Sequence, residues 1–317
     1  MKKLRIFVSK LVRETFTTSV ALFKITLPIS ALTKLLTDFG ATDMVGSVLG
    51  SLMGLFGLPG EMGLVWASAL LTNLYGGLSA FATLPQIGDL TIAQVSVLTT
   101  MMLMAHGLPV EMMIARKAGV RLRFSLFVRG GGALLAGLVL HGVYQWTGWL
   151  NQPCQALWQP PKVDAGWLNW ALAQGQNMLA IAGVIMLLLV VMYLLEFLGV
   201  IRLLTRWLRP LLVVLGMSDA AAPVTMIGMF LGLSYGGGLI IQEARSGKLP
   251  VRDVVLSLSL MGLCHSVIED TLLMGMVGGH WSAILAGRIV LSLLVVMGLR
   301  LVLQMVPLAV LKRYVYA

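Results

Sequence analysis

His106 and His265 are two of the chain's four histidines, and each is followed five residues on by an acid, Glu111 and Asp270. Both pairs lie in apolar surroundings, where an ionisable group at mid-membrane costs about 2.5–3.5 kcal/mol to insert. A matched imidazole and carboxylate in such a place can hold a polar solute or a cation, or cap a broken helix. Glu269 precedes Asp270, whereas Val110 stands before Glu111. That asymmetry makes Glu269 the candidate for coupling to H+ or Na+. Cys264 beside His265, with Glu269 and Asp270, offers donors that suit zinc or iron. However, Ala105 replaces the cysteine in the first copy and the spacing fits no standard metal motif. The expectation is no metal site and no cofactor, with Cys264 a buried structural thiol. No HExxH or GxSxG constellation points to an enzyme.

The histidine segments belong to a longer repeat. Leu74-Tyr75-Gly76-Gly77-Leu78 recurs as Ser234-Tyr235-Gly236-Gly237-Gly238, and Leu98 to Glu111 recurs as Leu256 to Asp270. The offset is 160 residues at the tyrosine and 159 at the histidine, so one residue is gained or lost between them. The chain divides into a basic arm (1–14), a first membrane repeat (15–145), a Trp-rich extracytoplasmic connector (146–175), a second repeat (176–310) and a tail (311–317). Each repeat carries two breaks. Glycines at Tyr75-Gly76-Gly77 and Tyr235-Gly236-Gly237 permit a hairpin tip. His106-Gly107-Leu108-Pro109 and Cys264-His265-Ser266 interrupt the next apolar run, Pro109 by disfavouring helix at Leu108.

These breaks lie in a chain of 317 residues that is 58% hydrophobic and only 11% charged, with a mean hydropathy of +0.91. No soluble fold of this length hides so much apolar surface, and two cysteines exclude a disulfide scaffold. The apolar runs are long rather than alternating, so the chain reads as an all-α integral membrane protein. A net charge of +10 does not signal nucleic acid. Eighteen of the 23 Lys and Arg, Arg129 among them, cluster beside apolar runs, as cytoplasmic anchors do. Arg288 and Arg300 read as snorkelling side chains, Arg288 with the option of pairing an acid in the core, and Lys34 as the partner of Asp38.

If four segments per copy cross, Arg116, Lys117, Arg121 and Arg123 fall outside. If the glycine-broken segment is instead a re-entrant hairpin, each copy crosses three times, one crossing being the broken helix. The copies are then inverted, and all the clustered basic residues lie inside. Each copy also carries an amphipathic interfacial helix, Asp43 to Phe56 and Ile201 to Leu215. Matched breaks in two inverted halves point to a transporter's binding site.

This layout resembles the Gate, or nucleoside-recognition, domain proteins. They include the spore-maturation proteins A and B and the membrane part of the ferrous-iron transport protein B, and the core of the concentrative nucleoside transporters is similar in plan. The resemblance implies substrate residues at the hairpin tips and helix breaks. Here those positions carry Asn73, Tyr75, Gly76, Gly77, Ser79, His106, Glu111, Ser234, Tyr235, Gly236, Gly237, Gln242, His265 and Asp270, with Glu269 for coupling. It implies alternating-access transport of a small polar solute, nucleoside-like or another metabolite, with divalent metal as a minor alternative. The competing implication is a non-transporting assembly or signalling partner of the spore-maturation type. The partners implied are the bilayer, the solute, and either further copies of the chain or a related membrane protein. The location is a bacterial cytoplasmic (inner) membrane with both termini cytoplasmic.

The loop Pro85 to Leu90 carries no Lys or Arg while its counterpart Ala244 to Arg252 carries three, the charge swap that inversion demands, and this fixes a topology test. In a background with Cys154 and Cys264 replaced by Ser, Asp89→Cys should react with an impermeant thiol reagent from outside and Lys248→Cys only from inside. Labelling of both from one face contradicts inversion.

Overall fold

The computed structural model describes residues 2–39, 41–84, 89–155, 166–247 and 249–316. The first copy comprises α1 (Lys2–Asp38), α2 (Ala41–Gly54), α3 (Met62–Leu71), α4 (Leu74–Thr83), α5 (Ile92–Met104), α6 (Leu108–Lys117) and α7 (Leu122–Thr147). The second comprises α8 (Trp167–Phe197), α9 (Val200–Val214), α10 (Ala221–Leu231), α11 (Leu233–Arg245), α12 (Val251–Leu263), α13 (Glu269–Met276), a π-helical turn (Ser282–Gly287) and α14 (Arg288–Met305), before a short α15 (Leu308–Tyr314). No strand occurs among the described residues. Among the described residues, four stretches are long and apolar enough to cross a membrane: Ile92–Lys117, Leu122–Thr147, Trp167–Phe197 and Ser282–Met305. The chain is an all-α membrane protein.

Two rods form the centre. α5 is buried from Ala93 to Met104 except at Gln94, and α12 is buried from Asp253 to Leu263. Helices apolar on every face belong in a core. The hydroxyls of α5 are satisfied within the helix, Ser96, Thr99 and Thr100 each donating to a carbonyl four residues back, whereas Ser257 of α12 accepts from Thr225 of α10 (2.7 Å). A capping box between Thr91 and Gln94 starts α5. The rods pack on α7, which touches both. α1 packs on α8, and there Tyr193 donates to Glu14.

Several boundaries differ from the expected ones. The basic arm is not separate, because α1 runs unbroken from Lys2. Trp146 lies in α7, and Trp167 and Trp170 open α8, so the connector is shorter than 146–175. Its residues 156–165, with Trp158, Lys162 and Asp164, fall outside the described residues. The part before them straps the start of α5, whose free amides need acceptors. Ala93 N donates to the Leu150 carbonyl (2.9 Å) and Ile92 N to that of Gln152 (3.1 Å).

The repeat register is also simpler than the tyrosines imply. α2, α3, α4 and α5 begin 159 residues before α9, α10, α11 and α12. No residue need be gained or lost; Tyr75 and Tyr235 instead sit one position apart along equivalent helices. The hairpin turns fall at Thr72-Asn73 and at Gly232 (φ 88°), not at the Tyr-Gly-Gly segments, which lie inside α4 and α11. Asn73 accounts for the first turn. It is extended, and its side chain accepts from Gly76 N (2.9 Å), capping α4. Gly77 serves packing instead of turning: a Cβ there would lie 2.7 Å from that of Ala69 and 3.2 Å from the Val65 carbonyl, so α4 folds back closely along α3.

Close approach also joins α7 to α5. A Cβ at Gly137 would lie 2.6 Å from Met101 Sδ and 2.8 Å from Phe56 Cδ1, while Gly142 has open space. Gly137→Ala should therefore destabilise by about 1–3 kcal/mol, the cost of overpacking. Gly142→Ala should be neutral or stabilising by up to ~1 kcal/mol through helix propensity. Thermal unfolding of both variants in detergent checks this; equal melting temperatures would contradict the packing.

Candidate functional site

The site is built where α5 and α12 stop. α5 ends at Met104, and Gly107 takes the left-handed conformation (φ 57°) that lets α6 restart with Pro109 in its first turn. α12 ends at Leu263, and Ser266 takes the corresponding turn (φ 44°) before α13. The freed amides find the hairpins. Gly107 N donates to the Ala69 carbonyl (2.9 Å), and Val267 N to that of Met229 (3.0 Å). A Cβ added at Gly107 would touch the Thr72 carbonyl at 3.4 Å, and one at Gly232 would meet Ser266 Oγ at 2.8 Å. Each broken helix therefore rests on the turn of its own hairpin.

The freed carbonyls are bonded by two buried arginines. Arg129 of α7 donates through Nε to the Met104 carbonyl (3.4 Å) and through Nη2 to that of His106 (3.0 Å). Arg288 of α14 repeats this with Leu263 (3.2 Å) and His265 (2.7 Å). Cationic groups suit the ends of helices, where carbonyls gather. Arg129 is 4% exposed and Arg288 1%, so neither lies in a basic loop or snorkels. These residues are the main omission of sequence reasoning. The 159-residue offset held the signal, since Arg129 is the only arginine that lands on another arginine at that spacing.

Between the breaks the histidines meet. Their Nε2 atoms are 3.2 Å apart. Each Nδ1 faces a carbonyl at 2.9 Å, that of Met102 for His106 and of Met261 for His265. A carbonyl only accepts, so each Nδ1 carries the ring hydrogen, and in the neutral rings both Nε2 lone pairs point inward. Glu111 Oε1 lies 3.4 Å from His106 Nε2 and 3.3 Å from His265 Nε2. Its other oxygen pairs with Arg129. The copies are unequal here. Asp270 Oδ2 and Arg288 Nη1 are buried without a hydrogen-bond partner among the described residues. A cavity lined by Glu111, Arg129, Ala115, Val120, Ser125 and Ser259 borders the engaged pair.

The other expected residues divide. Asn73 caps α4, and Ser79 is buried in that helix. Tyr75 is half-buried between α4, α8 and α13, and Glu269 opens α13 within electrostatic reach of it. Gly76 lies in the first turn of α4. Gly237 faces Ile114 of α6. Gln242 is exposed near the end of α11, away from the histidines. Ser234, Tyr235 and Gly236 lie in α11 with side-chain placements outside the described set. Cys264 is buried beside His265. Lys34 pairs with Asp38 at 2.5 Å.

Breaking the Arg129–Glu111 pair should be costly even though the intact pair adds little net stability. Arg129→Ala leaves a buried carboxylate uncompensated and should cost about 3–5 kcal/mol. Adding Glu111→Gln to it should recover part of that loss through a coupling of about 0.5–3 kcal/mol. Unfolding midpoints of the single and double variants in detergent measure the coupling; strictly additive losses would show that the pair is not an energetic unit.

No family model and no solved structure matches the chain. It is similar to the uncharacterized membrane protein YvoD of Bacillus subtilis (strain 168), with 31% identity over 264 residues that cover 81% of this chain and 82% of the relative. Identity at that level over four-fifths of both chains indicates common descent, and the protein belongs to the same family of membrane proteins as YvoD.

Proposed function

We propose that this protein is a secondary transporter of a small polar solute, working by alternating access around the paired breaks. The observation that carries the reading is the unequal occupation of matched machinery. Both copies supply a histidine, an acid and a carbonyl-capping arginine at equivalent places, yet Glu111 alone bridges the histidines while an Asp270 oxygen is buried without a partner. Two equivalent half-sites in unlike states are what alternation between two faces requires. The cavity beside Glu111 reaches Ala115 and Val120, next to the basic loop that positive-inside topology places in the cytoplasm. Inverted copies, with α3–α4 and α10–α11 as re-entrant hairpins, would make the two half-sites face opposite sides. The Gate-domain resemblance favours a nucleoside or similar metabolite, and Glu269 beside Asp270 supplies a group through which H+ or Na+ could couple.

Proteoliposomes holding the purified chain, given an imposed pH gradient and a mixture of labelled nucleosides and amino acids, test this. At least one solute should accumulate. Glu269→Gln should lose the gradient-driven component and keep exchange, whereas Asp270→Asn should weaken both. Accumulation of nothing under H+ or Na+ gradients overturns the transport reading, and unchanged gradient dependence in Glu269→Gln removes that residue from coupling.

A further inference from the structure

The histidine pair poses a problem that the transport reading leaves open. His106 Nε2, His265 Nε2 and Glu111 Oε1 form a triangle with edges of 3.2, 3.3 and 3.4 Å. With both Nδ1 hydrogens committed to carbonyls, every corner of that triangle is an acceptor. Three acceptors at hydrogen-bond distance without a donor repel one another, so the arrangement calls for a positive centre. A single proton can lie along one edge and leaves the others as acceptor against acceptor. A metal ion satisfies all three corners at once.

The dimensions match one. A tetrahedral ion bound at ~2.05 Å holds neighbouring ligand atoms ~3.3 Å apart. A further donor lies close to both histidines. A carboxylate oxygen of Asp270 and one ring nitrogen from each histidine lie within 4.8 Å of one another. Asp270 Oδ2 is among the buried atoms that lack a partner. Each ring donates its other N–H to a backbone carbonyl, as metal-binding histidines do, which fixes tautomer and orientation. Glu111 is held in turn by Arg129. Three acids, Glu111, Glu269 and Asp270, and two guanidiniums, Arg129 and Arg288, gather here, with Asp270 in electrostatic reach of the other four.

We infer that His106, His265, Glu111 and Asp270 form a four-ligand site for a divalent transition metal of the zinc class. Two imidazoles with two carboxylates suit zinc, cobalt or ferrous iron better than calcium or magnesium, which take oxygen ligands at higher coordination number. The site reverses the sequence expectation of no metal, for a reason the sequence hides. Cys264, the donor that chemistry by residue type favours, is not needed, and Glu111 comes from the other copy. The inference does not depend on transport.

The test is equilibrium binding by the full chain, purified in detergent and treated with chelator, with Co2+ as probe and elemental analysis for stoichiometry. One Co2+ per chain should bind with the intense visible absorption of a tetrahedral site, and Zn2+ should displace it. His265→Gln should weaken binding at least ~100-fold and Asp270→Asn ~10–100-fold. His141→Ala, which changes a histidine against Gly57, should leave binding unchanged. Circular dichroism and a monodisperse elution profile establish that each variant is folded. No stoichiometric uptake by the folded wild-type chain, as a proton shared between the imidazoles would give, overturns the inference. Equal uptake by His265→Gln does so too. Neither result bears on solute flux, so failure here and failure of the transport reading are told apart.

Discussion

The structure depends on bonding the backbone that two interrupted helices set free. Inside an apolar bundle no water is at hand for those groups, and each one left bare costs several kcal/mol. The amides go to the hairpins, and the carbonyls go to Arg129 and Arg288. Once a guanidinium is the capping group, other features follow from it. A buried cation needs a buried anion, which Glu111 supplies to Arg129. The acid must lie near the break, and the first turn of α6 is also where a helix favours negative charge. The acid's free oxygen is then directed at the histidines.

Burying this many charges gives little net stability. Ion pairs in a core roughly offset their desolvation, and apolar replacements of the same shape are often as stable. The packing of α5 and α12 on α7, the close approach at Gly137 included, holds these helices together apart from the cluster. What the charges contribute is position. Each imidazole is held by its own carbonyl at one nitrogen, and the two rings are brought within 3.2 Å at the other. Such positioning by surrounding groups is what a binding site needs if it is to hold one geometry.

How much of this was legible in the sequence varied with the kind of signal. Apolar run length gave the helices, and residue identity gave His106, His265, Glu111 and Asp270, because ionisable groups stand out in such a background. The hairpin turns were misplaced because glycine was taken as a sign of turning, whereas Gly77 permits α4 to lie against α3 and Asn73 makes the turn. Arg129 was assigned by its neighbours in the chain, the loop cluster ending at Arg123. One further turn and a half into α7 carries it into the core, a distance that composition cannot see. Aligning the copies on the tyrosines also hid the constant spacing that pairs Arg129 with Arg288. Contacts between copies, such as Glu111 with His265, leave no local trace in the sequence at all.

The inequality of the two half-sites is itself encoded. Glutamate and aspartate occupy the same place in their copies, each in the first turn after its break. Glutamate is longer by one methylene. From that position it reaches both imidazoles and its arginine together, while the shorter aspartate leaves Oδ2 without a partner in the structure. Glu269 and Cys264 in the second copy, against Val110 and Ala105 in the first, add to the difference between the half-sites. In the structure it is Glu111 that lies between the histidines. Under the proposed alternation, the opposite arrangement would need a ligand or cation that interacts better with Asp270, since a ligand shifts such an equilibrium only by its difference in affinity for the two states. Under the proposed transport reading, that difference in side-chain length, together with Glu269 and Cys264 on one side alone, would bias the alternation toward one arrangement.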